Sequence, residues 1–302
     1  MWPFRSLLFV PSHKPDWVRK VPRTQPDAVI LDLEDAVPAE LKCQAGELVP
    51  ESAAFLMGAG IGAFVRINAI DIGGVDDVGR IVSRGLTGIV LPKADSPQQI
   101  RELDRLLSFH EGRVGLPHGD IAIVPLPETA NGLYAGRDLA SASPRVKGLF
   151  GAMLGSGIGG DTAWAAGFKP TEEGFEQLYL GSKLALESRA GGAPYPISVV
   201  NGMKVDDLAT VRVLTKRVRA LGYTGVAIIH PSHVAIVHEV YTPSAEEVDY
   251  CQALISTLES AEASGDGAVR YQGQMIDHAI VVHAQEVLHE AHRRSRRTPA
   301  HA

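Results

Sequence analysis

The chain has 302 residues, 45% of them hydrophobic and 21% charged, with a formal net charge of −6. That is enough apolar content for one large core or two modest domains. The acidic balance argues against non-specific nucleic-acid binding, which needs a basic face. Two cysteines, Cys43 and Cys251, cannot make a disulfide framework. No apolar run approaches the roughly 20 residues of a membrane span, and the run in "MWPFRSLLFVP" is too short for the core of a signal peptide. The expectation is a soluble cytoplasmic protein with no membrane segment.

Short apolar, β-branched runs recur along the chain. They are "SLLFVP" (6–11), "AVILDLE" (28–34), "AFVRIN" (63–68), "GIVLPK" (88–93), "IAIVPLPE" (121–128), "VKGLFGAML" (146–154), "YPISVVN" (195–201) and "GVAIIHP" (225–231). Between most of them lie segments with apolar residues three and four apart, the period of an amphipathic helix. In "SPQQIRELDRLLSFH", Ser96 is placed as N-cap and Pro97 at the first helical position, and "TEEGFEQLYLGSKLALESRAG" ends near Gly191. Continuous apolar strands alternating with helices imply a parallel sheet covered on both faces. Eight such units predict a (β/α)8 TIM barrel.

After Tyr241 comes "TPSAEEVDYCQALISTLESAEASGDG", a helix that Thr242 or Ser244 would cap, with acids in its first turn. "AVRYQGQMIDHA" follows as a short hairpin or loop, and "IVVHAQEVLHEAHRRS" as a final helix. The expected organisation is a barrel over 1–241, a C-terminal helical lid over 242–295 and a disordered basic tail over 296–302.

"AVILDLEDAV" (28–37) places Asp32, Glu34 and Asp35 at the end of a core strand, where unpartnered carboxylates are costly. If Val29, Leu31 and Leu33 face the helices, then Ile30, Asp32 and Glu34 face the barrel axis near the carboxyl end, where barrel active sites are built. Arg66, Asn68, Lys93, Glu128, Asn201 and His230 also end apolar strands. Ordinary loop polarity would explain one such residue. The pattern on most strands favours a shared site.

Asp32, Glu34, Asp35, Glu128 and Asp161 would crowd that mouth with more negative charge than Arg66 and Lys93 balance. A divalent cation would compensate, and hard oxygen ligands with retained waters suit Mg²⁺, with Mn²⁺ as a substitute. Such a metal polarises a carbonyl and steadies an enolate, while Arg66 would hold a substrate carboxylate bidentately. These features suggest carbon–carbon chemistry at a 2-oxo acid. A Schiff base on Lys93 would need a depressed pKa, whereas the acids around it should hold its pKa up. "GSGIGG" (155–160) matches GxGxxG but lacks an acidic strand end downstream, so it is taken as a Gly-rich βα loop. His230, His233 and His238, and His289 with His292, are poor candidates for zinc.

"RSLLFVP", "LDLEDAVPAELK", "VRIN", "PLPETANG", "IIHPSH", "TPSAEEV" and "GQMID" occur in that order. In this the chain resembles the citrate lyase beta-subunit-like branch of the HpcH/HpaI aldolase superfamily, from about residue 5 to residue 290. The resemblance implies a (β/α)8 barrel, Mg²⁺ dependence, and cleavage or formation of malyl-, citramalyl- or citryl-thioester bonds, with coenzyme A as part of the substrate. It also implies a homo-oligomer, a trimer or hexamer, with the C-terminal segment covering a neighbour's site. By the resemblance, Arg66 holds the 2-oxo acid carboxylate, and Glu128 and Asp161 ligate the metal. Asp277 of an adjacent chain handles the proton on the thioester carbon. Asp32, Glu34, Asp35 and Lys93 would support metal-bound waters or orient Arg66, although the acids could instead cap the next helix. Phe9, Lys20, Lys42 and His230 would contact coenzyme A. The chain departs from the family pattern at Ser12, where a Gly is usual, at Gly160, where a Glu is usual, and in an insertion "MLGSGI".

The expected activity is therefore a Mg²⁺-dependent carbon–carbon lyase acting on an acyl-CoA. The alternatives are hydrolysis of the same thioester, a CoA-independent 2-oxo acid aldolase, and a non-catalytic subunit of a larger lyase complex.

Overall fold

A computed structural model of the chain describes residues 2–154, 159–201 and 204–295. The expected tail, 296–302, and most of the inserted Gly-rich stretch lie outside the described residues. Two compact units divide between His238 and Glu239, against the expected boundary at 241.

The first unit is the eight-stranded parallel barrel. Its strands are β1 (Ser6–Pro11), β2 (Ala28–Asp32), β3 (Gly62–Arg66), β4 (Leu86–Leu91), β5 (Ala122–Pro125), β6 (Phe150–Leu154), β7 (Ile197–Asn201) and β8 (Gly225–Ile228), with helices between most of them. Each expected apolar run overlaps one strand, although β3 and β4 begin one and two residues before theirs. The hydrogen-bonded order is β5-β4-β3-β2-β1-β8-β7-β6. The seam between β5 and β6 closes at the start of the expected run "VKGLFGAML", ahead of β6 itself. There Ile123 N donates to Arg145 O at 2.9 Å, and Lys147 N donates to Ile123 O at 3.2 Å. A single bridge, Ile123 to Val146, marks the join.

Side-chain alternation fills the barrel. Leu7, Ile30, Phe64, Val90, Val124, Phe150, Ile197 and Ala227, one from each strand, share one buried cluster. The helix after β4, Pro97–Val114, opens on the expected Ser96 cap, which forms a reciprocal box with Gln99. The helix after β6 that ends at Gly191 starts at Phe175 rather than at Thr171. Thr171 instead donates from its backbone and hydroxyl to Glu176, at 2.9 and 2.8 Å, as part of the turn before that helix.

The second unit has its own core, built from Cys251, Leu254, Leu258, Ile276, Val281 and Ala284. Ser244, not Thr242, caps the helix Ala245–Ala263, in a reciprocal box with Glu247. The hairpin is β9 (Val269–Tyr271) with β10 (Gln274–Ile276), antiparallel, and the last helix is His278–Ser295. Among the described residues, no helix is long and apolar enough to cross a membrane.

Candidate active site

Ile30 belongs to the interior cluster, so Asp32, two residues on, points toward the same axis. Its buried carboxylate accepts the backbone N–H of Glu34 and of Ala36, each at 3.1 Å. It also accepts Arg66 Nε and Nη2, each at 2.7 Å. The capping alternative fails here. No helix follows directly, and the turn's N–H groups go to Asp32 rather than to Asp35.

Arg66 ends β3 with its guanidinium 5.2 Å from the ring centre of Phe9. Its Nη1 lies 3.0 Å from Glu34 and 3.3 Å from Asp35. Burial works against its charge, but the Asp32 bond and the charges of Asp32, Glu34 and Asp35 overcome this and raise its pKa. The Nε–Nη2 edge is spent on Asp32. The Nη1 side, which faces Glu34 and the exposed Asp35, is the part of the guanidinium that Asp32 does not use.

Glu34 is the hub. It is buried, with Oε1 2.9 Å from Lys93 Nζ. Its Oε2 is near Arg66 Nη1 without an aligned hydrogen bond. Burial raises its pKa, and the two cations only partly offset this. Lys93 follows β4 with φ +49°, a left-handed conformation uncommon outside glycine. Its backbone N donates to Glu128 Oε1 at 3.2 Å, and its Nζ sits 3.5 Å from Asp161 Oδ2. The Glu34 bond first, and then the charges of Glu34, Glu128 and Asp161, raise the Lys93 pKa against burial. That direction is the reverse of what a Schiff-base lysine needs.

Glu128 follows β5, just before Thr129, whose hydroxyl accepts Gly132 N at 3.0 Å and caps the helix Ala130–Tyr134. Gly132 has to be glycine, because a Cβ there would lie 2.2 Å from Ala94 O. Burial, then the charges of Glu34 and Asp161, push the Glu128 carboxyl up to about 7. Asp161 is exposed and opens the helix Asp161–Ala166 behind Gly160, a position whose dipole favours an anion. Asp32, Glu34, Asp35, Arg66, Lys93, Glu128 and Asp161 thus form one connected network at the carboxyl ends of the strands.

The donor chemistry fits a hard dication. Glu128 and Asp161 offer oxygen ligands, and burial, followed by the charges of Glu34 and Asp161, disfavours the ionised Glu128 carboxyl that a cation would favour. No group of three or more His, Cys, Asp or Glu that could hold a metal occurs among the described residues. A pair of carboxylates with retained waters is the usual protein share of a Mg²⁺ site.

The residues expected at coenzyme A are spread over several elements. Phe9 lies under Arg66 and packs on the barrel interior. Lys42 Nζ is hydrogen-bonded to Asn68 Oδ1. Lys20 is exposed at the end of the helix Pro15–Lys20. His230 is exposed after β8, with Nδ1 2.7 Å from Ser232 Oγ. Asp277 belongs to the second unit, where it is exposed and accepts Ile280 N at 3.2 Å at the start of the last helix. His233 is buried, with Nε2 2.9 Å from Val205 O. His238 sits 2.8 Å from Ser6 Oγ.

One supporting acid escaped the sequence reading. Asp77 is buried and accepts Asn68 N at 2.9 Å and Asn68 Nδ2 at 2.7 Å, fixing the loop that leaves β3. Its signal is the helical period of "GGVDDVGRI", which puts Asp77 on the face of Val78 and Ile81.

The family model described as HpcH/HpaI aldolase/citrate lyase matches residues 5–231. The chain belongs to that family. A citrate lyase subunit beta-like protein of Deinococcus radiodurans is 34% identical over 95% of this chain and 97% of its own length. The human mitochondrial citramalyl-CoA lyase is 28% identical over 95% of this chain and 85% of its own. Among solved structures, the protein CitE from Mycobacterium tuberculosis, in complex with magnesium, acetoacetate and coenzyme A, superposes with a TM-score of 0.72. It is 22% identical and covers 96% of this chain and 99% of its own. The HpcH/HpaI aldolase/citrate lyase family makes this chain a carbon–carbon lyase, the enzyme class expected from the sequence.

Proposed function

We propose that the chain is a Mg²⁺-dependent acyl-CoA lyase that cleaves or forms a malyl-, citramalyl- or citryl-type thioester. A 2-oxo acid and acetyl-CoA would be the other side of the reaction. The observation that carries this reading is the charge-rich mouth, where the buried Glu34 joins Arg66 to Lys93 and Lys93 joins Glu128 to Asp161. The human relative named as a citramalyl-CoA lyase and the neighbour complexed with magnesium and coenzyme A support the substrate class and the cofactors.

Glu128 and Asp161 would hold the metal, which when bound supplies Lewis-acid stabilisation of the charge on the 2-oxo oxygen. Arg66, kept charged and fixed by Asp32, receives the substrate carboxylate on its Nη1 side, where Asp35 gives way. Cleavage passes the proton of the 3-hydroxy group to water at the mouth and breaks the carbon–carbon bond, leaving the 2-oxo acid and the enolate of acetyl-CoA. Asp277 of a neighbouring copy, exposed at a helix start, returns a proton to that enolate. In this reading the enzyme is a cytoplasmic homo-oligomer, a trimer or hexamer, with residues 242–295 as lid. Phe9, Lys20, Lys42 and His230 lie toward the coenzyme A arm.

Turnover of malyl-, citramalyl- and citryl-CoA by the purified protein, with release of a 2-oxo acid, tests the reading. Arg66→Ala and Glu128→Ala should each lose on the order of 100-fold or more in kcat/KM, and near-full activity in either overturns the site assignment. Free hydroxy acid without 2-oxo acid would mean a thioesterase. Equal turnover of CoA-free substrates would mean an aldolase, and inactivity alone with activity restored by an acyl-carrier subunit would mean a subunit of a complex.

A further inference from the structure

Lys93 contacts three acids of the candidate site. Its backbone N–H reaches Glu128 and its ammonium reaches Asp161. The ammonium is anchored at 2.9 Å on Glu34, which in turn faces Arg66. Its φ of +49° is a conformation that persists in a non-glycine residue only where the surroundings impose it. The side chain is 40% exposed, so water reaches it, while Glu34 is 7% exposed and cannot follow it outward.

From this we infer that Lys93 is a tethered counter-ion, a positioning residue whose ammonium, held by Glu34, supplies positive charge beside Asp161 and competes with the dication for that carboxylate. The inference rests on the metal reading above and adds a direction to it. An ammonium 3.5 Å from one carboxylate neutralises part of the charge that would attract a cation. It also repels a dication brought to the same oxygens, a repulsion that the water around Asp161 weakens without removing. Glu34 determines where the ammonium goes when the cation arrives. Its Oε1 keeps the Nζ, which retreats from Asp161 without leaving the pocket. The exchange holds the carboxylate pair together without metal and sets metal affinity below what the two acids alone would give.

The test is calorimetric titration of the purified full-length chain with magnesium chloride, without substrate, alongside thermal melts to confirm folding. Lys93→Met should bind magnesium tenfold or more tightly than wild type, and Lys93→Arg, which keeps the charge, should stay within about threefold of wild type. A gain in affinity is a readout that structural damage would not produce. Equal or weaker binding by a folded Lys93→Met overturns the inference while leaving the metal site intact. Absence of magnesium binding in wild type, or wild-type affinity in Glu128→Gln, overturns the metal reading and the inference with it.

Discussion

Two of the clusters in which basic side chains meet acids behave in opposite ways. At the seam of the barrel, Arg145, with a side chain only 2% exposed, pairs with Asp104 and Glu111. Its Nη1 donates to Glu111 at 2.7 Å and to Ile121 O at 3.0 Å, and its Nη2 donates to Ser108 at 3.0 Å and to Glu111 at 2.7 Å. Glu111 also accepts Gly119 N and Ile121 N, at 3.0 and 2.9 Å. Burial opposes ionisation of both acids, but their bonds to Ser143, Arg145 and the backbone pull both pKa values down. At the mouth, by contrast, burial raises Glu34 despite Arg66 and Lys93, and burial with the charges of Glu34 and Asp161 raises Glu128. The same residue types make a satisfied clasp in one place and an uncompensated charge in the other. Carboxylates raised in this way by burial beside specific charged partners are candidates for a functional site.

The largest effect should come from breaking the clasp. Arg145→Met leaves Glu111 buried without its partner, and removing one member of a buried pair costs about 3–5 kcal/mol. Denaturant unfolding should show that loss, whereas kcat per folded molecule should stay near wild type. A stable Arg145→Met protein would mean that the backbone bonds of Glu111 alone hold the seam.

Glu128→Gln should do the reverse. Activity on the cognate thioester should fall on the order of 100-fold, equivalent to about 3 kcal/mol of transition-state stabilisation, while the metal-free protein melts no lower than wild type. If the variant melts many degrees lower, the Glu128 carboxylate is a structural group and the contrast between the clusters collapses.

Acidity gives the two clusters opposite signs. The clasp acids have depressed pKa values, so their stabilisation is present above the ordinary carboxylate range and is lost as pH falls through the folded values. The Glu128 carboxyl is raised from 4.5 to about 7. The stability linked to its protonated form is present below 4.5 and is lost as pH rises through about 7, by up to about 3 kcal/mol. Metal-free protein should therefore lose stability between about pH 4.5 and 7, and both saturating magnesium and Glu128→Gln should flatten that slope. Chelation followed by a pH series of melts measures it, and a flat metal-free curve would place Glu128 in an ordinary environment.

The barrel was legible because its signals are local. Apolar runs located all eight strands, and Ser96 and Ser244 marked two helix starts. Alternation from Ile30 to Asp32 aimed the acids inward. What stayed hidden depends on partners distant in sequence. Nothing near Arg145 shows that Asp104 and Glu111 will meet it, and nothing near Lys93 shows its left-handed backbone. The division of Arg66 between Asp32 and an open edge follows from β2 and β3 lying side by side, with Asp32 opposite Arg66. The acids were visible as a group, but their individual tasks were not.

The smallest effect concerns that open edge. Asp35 is 65% exposed and sits 3.3 Å from Arg66 Nη1, so the pair should contribute well under 1 kcal/mol to stability. Its carboxylate nevertheless stands on the side of Arg66 that Asp32 leaves available, where a 2-oxo acid carboxylate would dock. A substrate must displace it, and that displacement is a cost in binding rather than in the chemical step. Asp35→Asn should therefore lower KM for the 2-oxo acid in the condensation direction by about two- to threefold, with kcat unchanged. Asp32→Asn, which removes a charge from the buried and doubly bonded partner, should instead lower kcat. A rise in KM for Asp35→Asn would show that Asp35 helps Arg66 recruit the substrate, and that the mouth, like the clasp, has no charge to spare.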